Sequence, residues 1–108
     1  MPETYVLTRG AADDLRDITQ YTLEQWGEAQ RRRYIDRLEA VASEVACGLG
    51  HFKTWNDVLP GLRISKAGRH YIFCLPRSGE PAIILAILHE RTDMLMRLRQ
   101  RMTEQTSV

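Results

Sequence analysis

The hydrophobic positions of this chain change period several times, and each change marks an element. "TYVLT", Thr4 to Thr8, is rich in β-branched and aromatic residues and predicts a short strand. Thr8 then suits a helix N-cap, with Asp13 and Asp14 near the positive end of the helix dipole. Ala11, Leu15, Ile18, Thr22 and Trp26 recur at helical spacing and predict one buried stripe, closed by Gly27 as a left-handed C-cap. A second helix is expected from Glu28, with Tyr34, Leu38, Val41, Ala42 and Val45 on one face and Gly48 and Gly50 at its end. A single glycine between two helices predicts an antiparallel hairpin whose shared apolar face needs a sheet to cover.

Between Gly48 and Pro60 no clean period is present, and an irregular loop pinned by Phe52 and Trp55 is expected. The period then falls to two. "LRIS" from Leu62, "RHYIFCL" from Arg69 and "AIILAILH" from Ala82 predict three strands, with turns at Ala67-Gly68 and at "RSGE". The last strand is apolar on both faces and belongs inside the sheet. Thr92 or Asp93 then caps a short helix with Met94, Leu95, Leu98 and Met102 on one side. The expected fold is α+β in the order β-α-α-β-β-β-α. A helical hairpin packs on one face of a small antiparallel sheet, and the first strand joins at an edge. A single domain is expected over 1–102, with a frayed polar tail at 103–108.

Composition narrows the picture only a little. A chain of 108 residues suits one domain that buries roughly two-thirds of its unfolded surface without disulfides. The N-terminus shows no basic stretch leading into an apolar run, and the longest apolar run, Ala82 to Leu88, is too short for a membrane helix. The expectation is a cytoplasmic protein with no membrane partner, in which Cys47 and Cys74 are reduced and buried. The net charge of +1 is unevenly spread. Up to Pro60, seven basic residues face ten acidic ones, a balance of −3; from Gly61 to Met102, eight face three, a balance of +5. Such a split suggests two different surfaces.

Candidate chemistry is sparse. His51, His70 and His89 fall in different elements with no ligand spacing, so no metal is expected, and no phosphate-cradling glycine loop or nucleophile elbow is present. Arg31-Arg32-Arg33 splay about 100° apart on a helix and read as a solvated face, so no specific nucleic-acid contact is expected. Cleavage of RNA through the 2′-hydroxyl needs a base, an acid and cations, which Arg63, Arg69, Arg91 and His89 could supply. On alternation, Arg63 points away from the helices if Leu62 and Ile64 point toward them. The competing reading makes His89-Glu90-Arg91 a solvated strand end, with His89 hydrogen-bonded to backbone.

Several stretches together carry a resemblance. "YVLTRGAADDLRDITQYTLEQWG" contains Ala11, Asp14, Leu15, Ile18 and Tyr21 in an Ala-x-x-Asp-Leu-x-x-Ile-x-x-Tyr pattern that closes on Trp26-Gly27. "LPGLRISKAGRHYIFCL" contains Gly61-Leu62-Arg63, then Gly68, Tyr71 and Phe73; "IILAILHERTDM" ends on His89, Arg91 and Asp93 in a His-x-Arg-x-Asp pattern. In this order the chain resembles the ParE toxins of the RelE/ParE superfamily of type II toxin–antitoxin systems. The resemblance implies a protein that poisons DNA gyrase without being an enzyme, needs no cofactor, and is held inactive by the flexible C-terminal segment of a ParD-like antitoxin. RelE relatives share the fold but cut messenger RNA on the ribosome and tend to be strongly basic. This chain departs from them, with two lysines, no tyrosine beyond Tyr71 and a charge of only +1. His89 keeps that endoribonuclease alternative open. The basic back half places the expected partner-binding residues at Arg63, Arg69, His89, Arg91 and Arg97.

Overall fold

Alternation from Arg63 to His89 sends side chains to both faces of a sheet, and each face has its own cover. The structure is a computed structural model that describes residues 4–106, with side chains described through Thr103. Its elements are β1 (Tyr5–Leu7), α1 (Arg9–Trp26), α2 (Glu28–Ala46), β2 (Lys53–Thr54), β3 (Arg63–Ala67), β4 (His70–Arg77), β5 (Glu80–His89) and α3 (Met94–Thr106). The strands lie in the order β1-β5-β4-β3-β2. On one face Ala67, Ile72, Cys74, Ile84 and Ile87 meet Ala11 and Ile18 of α1 and Leu38, Ala42 and Val45 of α2. On the other, Leu62, Phe73, Leu85, Ala86 and Leu88 meet Leu98 of α3 and the loop residues Trp55, Val58 and Leu59. Phe73, Leu38, Leu62, Ile72, Ile84 and Leu98 are the largest fully buried side chains, so both faces supply core.

The α+β layout and the element order agree with the sequence reading, with three differences of detail. The sheet is mixed rather than wholly antiparallel: β1 pairs with β5 in parallel, Tyr5 opposite Ala82 and Leu7 opposite Ile84. The helical hairpin and strands β2 to β4 lie between them in the chain, a connection long enough for a parallel pair. The loop after α2 contributes a two-residue edge strand, β2, paired with β3. Finally, α3 continues past Met102 to Thr106, helical where a frayed tail was expected, while 107–108 lie outside the described residues.

A bulge in β5 organises its surroundings. Phe73 pairs with Ala86 but Cys74 pairs with Ile84, so Leu85 is an extra residue without a partner in β4. That is why Leu85 and Ala86 both join the α3-side core although they are adjacent. The Leu85 carbonyl is satisfied from outside the sheet, accepting from Thr8 Oγ1 at 3.2 Å and from Arg101 Nη1 at 3.0 Å. Thr8 is also the α1 N-cap, its hydroxyl oxygen accepting the Ala11 N–H at 3.1 Å. Gly27, at φ 87°, ends α1 and begins α2: its N–H donates to the Leu23 carbonyl and its carbonyl accepts the Arg31 N–H. Only glycine adopts that φ without strain, which makes so short a connection possible.

Two burial expectations fail. Trp26, the last residue of α1, is 68% exposed rather than packed into the core. Cys47, at the end of α2, is exposed, whereas Cys74 is buried in the core, and both are free thiols. Among the described residues no helix is long and apolar enough to cross a membrane.

Candidate partner-binding site

Three elements converge where α2 crosses the β3–β4 turn. The Tyr34 hydroxyl of α2 accepts the Arg69 N–H at 3.1 Å and lies 2.6 Å from His70 Nδ1 and 3.2 Å from the Ala67 carbonyl. Gly68 makes this approach possible: its φ is +61°, and a Cβ there would fall 2.5 Å from Tyr34 Cε1. His70 stands opposite His89 across the β4–β5 ladder, the rings 5.2 Å apart and edge-on. Beyond His89 the chain folds back. The Arg91 N–H donates to His89 Nδ1 at 3.1 Å, the Thr92 N–H to the His89 carbonyl at 2.9 Å, and the Glu90 N–H to the Arg69 carbonyl at 2.8 Å.

A cavity of about 680 Å³ opens above this junction. One wall is α1, through Asp17, Ile18, Tyr21, Thr22 and Trp26; Gln30 and Tyr34 come from α2; Gly68, Arg69, His70 and His89 form the sheet end. Tyr21 is 62% exposed beside it, so two large aromatic rings face solvent at the mouth of an apolar hollow. Burial pushes the His70 ring down to about 4, with nearby His89 acting in the same direction and Asp14 and Glu90 opposing. Burial likewise pushes the Tyr34 phenol up.

The expected partner-binding residues do not form one surface. Arg69 and His89 line the cavity, and Arg91 sits in the turn beside them with its side chain exposed. Arg97 is exposed on α3, which covers the opposite sheet face. Arg63 corrects the alternation argument: Leu62 packs toward α3, so Arg63 turns toward the hairpin. There its Nη1 donates to the Val45 carbonyl at 2.9 Å and its guanidinium lies over the Phe52 ring at 5.1 Å. Arg63 thus satisfies one of the terminal carbonyls of α2. His70, Tyr34, Tyr21 and Trp26 were missed as site residues. The histidine pairing was hidden by the bulge, which sets the β4–β5 register.

Next to the cavity lies a rigid clasp. Asp14 of α1 accepts two bonds from Arg101 of α3, at 2.9 and 3.0 Å, and also accepts the Ile87 N–H of β5 at 3.0 Å. Both side chains are mostly buried, at 17% and 13% exposure. Beyond Leu7, β5 has no strand on this side, and the carboxylate and guanidinium take the places of a strand's acceptor and donor. Gly10 leaves room for the arginine: a Cβ there would lie 2.6 Å from Arg101 Cδ and Nε.

A general base works best near the operating pH, and His70 sits far below it. His89 Nδ1 is occupied by a backbone N–H. Burial lifts the Cys74 thiol to about 11, far from a reactive thiolate. Among the described residues no three His, Cys, Asp or Glu side chains are grouped so as to hold a metal ion.

A family model described as the ParE toxin of type II toxin–antitoxin system, parDE, matches residues 5–94. This chain belongs to the ParE toxin family. An Escherichia coli protein named Toxin ParE is 50% identical over 98 residues, spanning 91% of this chain and 95% of that one. Toxin ParE1 of Caulobacter vibrioides is 31% identical over 86 residues, 80% of this chain and 88% of the relative. Among solved structures, a chain of the chromosomal ParDE toxin–antitoxin system from P. aeruginosa superposes with a TM-score of 0.59 at 22% identity, covering 80% of this chain and 96% of that one. It shows a shared fold. The stretch matched to the ParE family holds the whole cavity and Asp14 of the clasp, whereas Arg101 lies beyond it.

Proposed function

We propose that this ParE-family toxin acts in the cytoplasm by binding DNA gyrase and trapping it on cleaved DNA, and that a ParD-like antitoxin neutralises it by occupying the toxin. The observation that carries this reading is the open apolar cavity beneath exposed Tyr21 and Trp26. It offers aromatic contact area of the kind that dominates protein interfaces, without a tuned acid–base pair. Arg69, His89 and Arg91 give its rim basic character for an acidic antitoxin segment, and Arg97 extends that character onto α3. Arg63 contributes by fixing the end of α2. Purified toxin added to a gyrase supercoiling reaction is expected to block supercoiling and accumulate linear DNA. Normal supercoiling at excess toxin contradicts the reading.

One observation favours a second reading, ribosome-dependent cleavage of messenger RNA. His70, His89, Tyr34 and Arg69 do meet at one cavity. If they were catalytic, the intact protein would cut messages in a translating extract and a His89→Ala variant would not. An extract with uncut messages removes that alternative.

A further inference from the structure

The sheet end of the cavity is a donor array, and its protonation pattern follows from the hydrogen bonds around it. The Tyr34 hydroxyl accepts the Arg69 N–H, so its own proton goes either to His70 Nδ1 at 2.6 Å or to the Ala67 carbonyl at 3.2 Å. That single proton serves only one of the two, so these contacts fit either tautomer of His70. His89 Nδ1 accepts the Arg91 N–H, so neutral His89 carries its proton on Nε2. Among the described residues no buried side-chain nitrogen or oxygen lacks a partner, so the His89 Nε2–H reaches accessible space, and the His70 and His89 rings both line the cavity. Arg69 joins them. Its backbone is held by Tyr34 and Glu90, while its guanidinium enters no ion pair among the described residues.

Two donor groups, the His89 Nε2–H and the Arg69 guanidinium, therefore border a space whose opposite wall is Ile18, Tyr21 and Trp26. Asp17, one turn before Tyr21 on that wall, disfavours an anion on the α1 side, while at the sheet end Glu90 is offset by Arg69. The volume lies in the range of small-molecule sites, about 300–1,000 Å³. We propose that this cavity is a binding site for a planar aromatic ring that carries an oxyanion, with the ring against Tyr21 and Trp26 and the anionic oxygens on His89 Nε2 and the Arg69 guanidinium. The anion is a carboxylate on an aromatic acid or the phosphate of a nucleoside 5′-monophosphate. This site stands whether or not gyrase is the target.

The test is an NMR titration of the full chain at neutral pH, following the ring nitrogens of His70 and His89. Indole-3-acetate and adenosine 5′-monophosphate carry both ring and anion; indole and inorganic phosphate carry one each. At least one two-part probe is expected to saturate, to move the His89 Nε2 signal, and to bind about tenfold more tightly than either one-part probe. Tighter binding of the nucleotide assigns the anion as phosphate, and tighter binding of the indole acid assigns it as carboxylate. Trp26→Ala, at an exposed position where folding is not at stake, is expected to weaken that binding about tenfold. Failure of both two-part probes to saturate, equal affinity for indole or phosphate alone, or affinity unchanged by Trp26→Ala overturns the proposal.

Discussion

The two halves of α1 are one continuous helix and live in different environments. The first half is fastened to two elements, β5 and α3: Thr8 caps the helix and donates to the β5 bulge, and Asp14 holds both Arg101 of α3 and the Ile87 N–H. The second half keeps Ile18 and Thr22 buried but presents Tyr21 and Trp26 to solvent along an open cavity. The apolar spacing is the same throughout. What differs is what the large side chains meet, and that difference separates the half that is clasped to its neighbours from the half with aromatic surface to spare.

Breaking the fastened half should have the largest effect. Asp14→Ala removes both guanidinium bonds and leaves the Ile87 N–H without its acceptor; a loss of about 3 kcal/mol in urea unfolding is expected. A loss below about 1 kcal/mol, the size of an exposed pair, would show that the clasp is decoration. Gly10→Ala sharpens the same point. With Arg101 in place the new methyl meets its side chain, and a loss of about 1–2 kcal/mol is expected. In an Arg101→Ala background the same change should instead stabilise by about 0.5–1 kcal/mol, since alanine is the better helix former. A cost that persists without Arg101 would place the constraint elsewhere.

The junction beneath the cavity should respond to pH. The His70 ring is held at about 4, below its ordinary 6.5, so the unfolded chain binds this proton more readily than the folded one. The contribution is full above pH 6.5, falls as pH drops through this window, and is gone below about 4. For a half-buried ring screened by solvent it amounts to about 1–2 kcal/mol. Subtracting the pH–stability curve of a His70→Gln variant isolates it from the carboxylates that titrate nearby, and a flat difference would contradict the assignment. Smallest in stability is Trp26→Ala, expected to change unfolding by no more than about 0.5 kcal/mol because the ring is in water. It should nonetheless abolish growth inhibition when the toxin is expressed without an antitoxin; toxicity retained by this variant would remove the cavity mouth from function.

The sequence revealed what depends on local period and concealed what depends on register. The helical stripes and the alternating strands gave the element order, and Thr8 and Gly27 marked the ends of α1 through capping chemistry that acts within a few residues. Trp26 carries the right spacing for burial, but spacing cannot show what a side chain meets. Arg63 was misdirected because the sheet is apolar on both faces and alternation alone does not say which face takes the hairpin. The His70–His89 pair requires the β4–β5 register, which the extra residue Leu85 shifts. The Asp14–Arg101 pair spans 87 positions and leaves no local trace. Arg69 and His89 were found as candidates from strand ends and charge, and the structure places both at the cavity.

A binding toxin differs most from an enzyme in stoichiometry. Gyrase at fixed concentration, titrated with the purified chain and read by the fraction of plasmid supercoiled, is expected to lose activity in proportion to added toxin. Inhibition should saturate near or above equimolar ratio, with linear DNA accumulating in step. Supercoiling that stays at its starting level through a large molar excess of toxin would contradict the account.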